Sequence, residues 1–232
     1  MANIAIDPLT SSGDNSNTNA LSGSISTSAA KEVVVLIVSS SSSSGHTQVA
    51  SVVSTSGIPW ALRNAIETTT VGANELRVEE WWAPADTVLT ADGFTIFMNI
   101  SCHVSYSQVA VQGAANINAP FDPNPSLPGA VGYPSSTAGA STPISTNFAN
   151  TILLLGYAGA GFGVPSIGLP FTQAVSDRGT YNNSAIAYQV RGSQAANVQG
   201  APNSNASSQL GILSDAIYAP GPLRALPVTA GF

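Results

Sequence analysis

The chain has 232 residues, 44% of them hydrophobic and only 8% charged, with a formal net charge of −6. Ordinary soluble domains carry about 25% charged residues, and disorder needs low hydrophobicity with high charge, so this chain is neither disordered nor an average soluble domain. One lysine and five scattered arginines offer no cationic cluster for a phosphate backbone, and the acidic balance opposes an anionic membrane surface, so neither nucleic acid nor membrane is an expected partner.

The periodicity is β almost throughout. Asn3–Leu9 alternates, with Ile4 and Ile6 on one face and Pro8 suited to an edge. A polar turn over Ser11–Asn19 leads to a second alternation at Leu21, Gly23 and Ile25. Lys31–Ser39 is apolar on both faces through Val33–Val38, which predicts a central strand buried on two sides. The serine run Ser39–Ser44, closed by Gly45, reads as a loop. Thr47–Ser54 and Trp60–Glu67 follow as strands, then Asn74–Ala83, ended by Pro84. Gly93–Ser105 places Phe94, Ile96, Met98, Ile100, Cys102 and Val104 on one face, a long half-buried strand at period 2. Gln108–Ala114 reads as a separate short strand.

Residues 119–146 carry Pro120, Pro123, Pro125, Pro128, Pro134 and Pro143. Proline cannot donate to a ladder, so this stretch is expected as an extended excursion outside the sheets. Strand signals resume at Phe148–Tyr157, Leu169–Ser176, Ala185–Arg191 and Gln209–Tyr218. The pattern predicts an all-β chain: a single β-sandwich of jelly-roll or immunoglobulin-like type over 1–217, with an extended apolar tail over 218–232. Cys102 is alone, so no internal disulfide is available, and the amino terminus lacks the basic start and apolar stretch of an export signal. Synthesis in a host cytoplasm without a signal peptide is the expectation.

The order of segments resembles a known module. Ile4-Ala5-Ile6-Asp7, Leu21-Ser22-Gly23-Ser24-Ile25-Ser26, Val33–Val38, Val49-Ala50-Ser51-Val52, Glu79-Glu80-Trp81-Trp82-Ala83-Pro84 and Val109-Ala110-Val111-Gln112-Gly113 are together similar to a β-sandwich module of bacteriophage virion proteins and some bacterial surface proteins. The resemblance covers roughly residues 4–217 and brings no catalytic residue with it. It implies a virion-surface role: a capsid decoration (cement) protein, with a tail-associated or cell-surface carbohydrate-binding adhesin as the alternative. The expected partners are further copies of the chain, as a trimer, and a capsid shell protein.

Chemical motifs are sparse. His46 and His103 stand apart, no Gly-x-Ser-x-Gly elbow occurs, and two histidines and one cysteine far apart make no zinc spacing. No catalytic residue, metal or cofactor is therefore expected. Gly159-Ala160-Gly161-Phe162-Gly163 mimics a dinucleotide-binding turn, but Val164-Pro165 follows and no helix opens. Glu79 and Glu80 are strand neighbours and point to opposite faces, so they cannot face each other across a sugar. Glu80 shares a face with Leu76, Val78 and Trp82, which calls for a bulge or an arginine such as Arg63 or Arg77. Asp7, Asp14, Asp86, Asp92 and Asp122 mostly fall in or beside turns, and Asn99, Asn182 and Asn205 head sequons expected by chance in so Asn/Ser/Thr-rich a chain. The contact candidates are Phe121 and Tyr133 in the excursion and Leu223, Leu226 and Phe232 in the tail. Of the adjacent Trp81 and Trp82, one must point away from a given core, either as a glycan platform or under cover of the excursion.

Overall fold

The computed structural model describes residues 4–13, 17–68, 75–136, 138–161, 166–179, 181–203 and 209–220. The tail candidates Leu223, Leu226 and Phe232, with Asp14, Asn205 and the end of the glycine turn, lie outside them. The described chain is all-β: β1 (Ala5–Gly13), β2 (Thr18–Ile25), β3 (Glu32–Ser42), β4 (Val49–Ser54), β5 (Ala61–Thr68), β6 (Glu75–Ala85), β7 (Asp92–Gln112), β8 (Gly129–Tyr133), β9 (Thr151–Ala160), β10 (Ser166–Ile167), β11 (Thr172–Arg178), β12 (Asn182–Arg191), β13 (Pro202–Asn203) and β14 (Gln209–Tyr218).

Two sheets form the sandwich. One runs β1-β7-β3-β6-β5 and the other β11-β12-β9-β14-β8, all neighbours antiparallel. Their facing sides bury Val33, Val35, Ile37, Val78, Val109 and Val111 against Ile152, Leu154, Ile186, Leu213 and Ile217. Each such side chain, fully buried, contributes about 1.5–3 kcal/mol. The sheets approach closely enough that a Cβ on Gly156 would run into Ile37, and one on Gly211 into Val78.

Both sheets are also covered on their backs, giving four layers. The first half of β7 pairs with β2 and β4. This small outer sheet folds over Val34, Leu36 and Val38, closing a second core with Phe94, Ile96, Met98, Cys102 and Tyr106. Behind the other sheet, Leu153, Leu155, Tyr157, Leu210 and Ile212 pack against Ile144, Phe171 and Ala195. Every residue of β3 is consequently buried, as a two-sided apolar strand requires.

Four expectations need correction. Ser39–Ser42 are the last residues of β3, not a loop: the ladder to β6 continues to Ser42 and that to β7 to Ser41. Two of their hydroxyls bond away from the ladder, Ser40 Oγ to Thr47 Oγ1 at 2.9 Å and Ser41 Oγ to Asn182 Oδ1 at 2.6 Å, while Ser42 Oγ meets Ser44 in the turn. Serine signals a turn where its hydroxyl competes with the ladder; at Ser40 and Ser41 it bonds sideways instead. Gln108–Gln112 belong to β7 and not to a separate strand, so a single 21-residue strand serves two sheets. Pro84 lies inside β6, which runs on to Ala85. Finally, the proline-rich excursion contributes β8 as the edge strand beside β14, where Gly129–Tyr133 is free of proline.

A cleft over the β5–β6 hairpin

The candidate site is a cleft of about 490 Å³ between the start of β5, the end of β6 and the first part of the excursion. Leu62, Arg63 and Trp82 form one wall; Phe121, Pro123, Pro125 and Leu127 form the other. β5 and β6 pair with a register shift between Leu62 and Asn64, so Arg63 is the extra residue of a bulge. A bulge bends its strand and re-aims a side chain. Here it lets Arg63 reach between the sheets to β14, where its Nε donates to Asp215 Oδ2 at 2.7 Å and its Nη2 to Oδ1 at 3.3 Å. The guanidinium lies 4.3 Å from the Phe121 ring centroid, and Phe121 meets Trp82 edge to face at 5.4 Å. Arg63 thus has its charge paired from behind and its face stacked from the side.

Asp215 and Glu80 are both buried behind Arg63. Burial pushes the Glu80 carboxyl well above the usual range, the Asp215 charge pushes it further, and Arg63 opposes both. Glu80 Oε2 has no hydrogen-bond partner among the described residues. For Asp215, burial acts upward and the bond to Arg63 downward, with the upward effect larger. Of the two arginines expected near Glu80, Arg63 is the one that acts on it, through its charge, while its ion pair is with Asp215; the bulge lies on β5 opposite Glu80 rather than at it, and Glu80 is buried. Glu79 points to the other face, as strand alternation requires, and accepts bonds from Arg77 Nε (2.6 Å), Trp81 Nε1 (2.9 Å) and Val49 N (3.1 Å).

The excursion wall is fixed by Asp122, which is buried and accepts from the backbone N–H groups of Asn124 (3.0 Å), Asn147 (2.9 Å) and Phe148 (3.1 Å). The Asp122 N–H itself donates to Ala216 O at 2.8 Å on β14. A proline-rich segment with few donors of its own is thereby tied to the sandwich.

The structure brings Phe121 and Trp82 together and separates the other candidates. Trp81 packs on the opposite core, with Leu36 and Phe94. Tyr133 lies at the far end of β8, where its hydroxyl bonds Ala140 O (2.7 Å) and Ala140 N (3.0 Å) and closes a local loop. His103 stacks on Tyr181 at 3.8 Å, and burial pushes the Cys102 thiol up to about 12. Sequence reading missed Asp215 and the grouping of His46, Glu67 and Glu75, which are the three metal-ligating side chains that converge among the described residues. No local spacing signals either one. No family model matches the chain, and neither a curated protein nor a solved structure matches it.

Proposed function

We propose that the protein is a non-enzymatic virion structural protein, a bacteriophage capsid decoration (cement) protein that stabilises the shell through multivalent contacts. The observation that carries this reading is the cleft over the β5–β6 hairpin. Its walls present Trp82, Arg63 and Phe121, and tryptophan and arginine are among the residue types that dominate the energetics of protein interfaces. These side chains are held in place before any partner arrives, by Asp215 behind Arg63 and by Asp122 beneath Phe121. Preorganisation of this kind lowers the entropic cost of binding. The 8% charged content fits a chain that leaves much of its surface against other protein, and repeated modest contacts on a shell multiply through avidity. The resemblance of segment order to virion modules points the same way.

A second reading, a carbohydrate-binding adhesin, draws on the same cleft, because Trp82 borders it together with the polar side chains of Arg63 and Asn124. One pair of measurements separates the two. Under the structural reading, light scattering behind a sizing column gives a trimer or a concentration-dependent series of masses, and Leu62→Glu on the exposed cleft wall lowers the mass. A monomer unaffected by Leu62→Glu, which binds a glycan and loses that binding on Trp82→Ala, overturns the structural reading in favour of the adhesin.

A further inference from the structure

The other end of the same hairpin gathers a different set of groups. Glu67 is near the end of β5, Glu75 begins β6, and His46 lies in the turn that leads from β3 to β4. Glu67 pairs in register with Arg77, and Glu75 lies two residues before Arg77 on the same face of β6. His46 Nδ1 is 3.1 Å from Glu67 Oε1 and 2.9 Å from Glu75 Oε2. The other Glu75 oxygen accepts the Thr47 N–H at 3.2 Å, so the carboxylate is fixed in orientation as well as place.

Three features of this arrangement point to a cation. First, one imidazole nitrogen carries at most one hydrogen and cannot satisfy two carboxylates, yet both converge on it. Second, both spacings from His46 Nδ1 match a coordination shell, in which neighbouring ligands about 2.1 Å from an octahedral ion stand ~3.0 Å apart, and all three ligand atoms lie within 4.8 Å of one another. Third, the charges do not balance. Arg77 spans Glu67 Oε2 (3.6 Å) and Glu79 Oε1 (2.6 Å), so Glu67, Glu75 and Glu79 set three carboxylates against one guanidinium. Counted formally, two carboxylate charges remain beyond the one that Arg77 matches, and Glu75, one of the three carboxylates, is only 8% exposed.

We propose that His46, Glu67 and Glu75 bind a divalent transition-metal ion of the Mn²⁺-to-Zn²⁺ series. The ligands are His46 Nδ1 and one oxygen from each glutamate, with water completing the shell on the open side. An imidazole nitrogen with two carboxylates suits these ions better than Ca²⁺ or Mg²⁺, which prefer all-oxygen shells. The His46 side chain is 80% exposed, so the ion has a direct entry path. Arg77 acts as an outer partner that holds the second oxygen of Glu67 away from the ion. A bound ion would clamp the β3–β4 turn to the end of the β5–β6 hairpin. The site is independent of the cleft, and nothing in it rests on the virion reading.

The test uses the full chain, stripped with chelator, titrated separately with ZnCl₂, MnCl₂ and CaCl₂ by calorimetry. The imidazole resonances of the two histidines are followed during the zinc titration. The expected result is one Zn²⁺ per chain, movement of the His46 ring signals with those of His103 unmoved, and a Tm that rises with zinc concentration. His46→Ala, Glu67→Gln and Glu75→Gln should each weaken zinc binding roughly tenfold or more. Their metal-free circular dichroism and Tm establish that the fold is retained. Absence of saturable Zn²⁺ or Mn²⁺ binding at millimolar concentration overturns the proposal. So does binding that leaves the His46 ring unmoved, binding unchanged in a folded Glu75→Gln protein, or calcium binding as tight as zinc binding.

Discussion

The two ends of the β5–β6 hairpin carry the same kinds of side chain and use them differently. At one end, Arg63 bonds Asp215 across the sandwich, with Glu80 beside them, and both carboxyls are sealed between sheets. At the other, His46 and Glu67 sit at 80% and 28% side-chain exposure, within reach of solvent, against 1% for Asp215. Between the sheets, water cannot screen a charge or replace a lost partner, so removing one member of the pair leaves a buried ion. At the rim, water and salt do both. The difference lies in burial, and burial here follows from strand position: Arg63 bulges inward over the facing sheet, whereas Glu67 and Arg77 share the opposite face near a turn.

The strongest way to break this comparison is Arg63→Met, which keeps most of the aliphatic stem and removes the charge. Asp215 would keep the Ala216 N–H (2.8 Å) as its remaining hydrogen bond among the described residues. The expected loss is about 3–5 kcal/mol in urea unfolding, at an unchanged slope. Adding Asp215→Asn should recover part of that loss, because the cost is chiefly the unpaired carboxylate. A loss under about 1 kcal/mol would place Asp215 in the same class as the rim carboxylates.

Glu80→Gln tests the same interior with the opposite sign. The folded-state carboxyl is raised from its ordinary value of 4.5 by burial first and by Asp215 second. Between 4.5 and that raised value the folded chain holds a proton that the unfolded chain has released, so wild-type stability falls as pH rises through the window. Glutamine does not titrate. The variant should therefore be more stable than the wild type at pH 7–8, and the gap should close as pH falls below the ordinary glutamate value. Thermal unfolding of both proteins from pH 3.5 to 8 measures this; parallel curves would show that Glu80 is not strained by its burial.

Much of this interior is legible in the sequence, and the remainder is hidden for physical reasons. Val33–Val38 announces a strand covered on both faces because no polar residue interrupts it. Gln209–Tyr218 has the same bounds in the structure, since flanking polar and proline residues mark its ends. The serine end of β3 is misread because residue type reports local preference, while Asn182, which bonds the Ser41 hydroxyl, lies 141 residues away in the facing sheet. That Arg63 lies near Glu80 can be anticipated, since the two strands are adjacent. Asp215 cannot, because it lies 152 residues from Arg63 and meets it only when the sheets stack. His46, Glu67 and Glu75 are hidden for the same reason: two turns and a hairpin end must form before their side chains converge. Phe121 is recognisable as an apolar residue in a proline-rich segment, but its position beside Trp82 depends on the Asp122 bonds that hold the segment down.

The smallest expected effect sharpens the comparison most directly. Glu67→Gln, in chelator, removes one carboxylate charge from the rim and leaves the shape of the side chain intact. Its partners are the exposed His46 and, at 3.6 Å, Arg77, which keeps its shorter contact to Glu79. The substitution also relieves the repulsion with Glu75, whose carboxyl is raised by burial and then by the neighbouring Glu67 charge. Loss of attraction to Arg77 and relief of repulsion with Glu75 oppose each other, so the net change should not exceed about 1 kcal/mol in either direction. Raising the salt to 1 M should reduce it towards zero, because the screening length then falls to about 3 Å. The same salt should leave the Arg63→Met loss nearly intact, since ions do not enter the space between the sheets. Equal salt sensitivity at both ends would mean that water reaches Asp215, and burial would no longer be what separates the two ends of the hairpin.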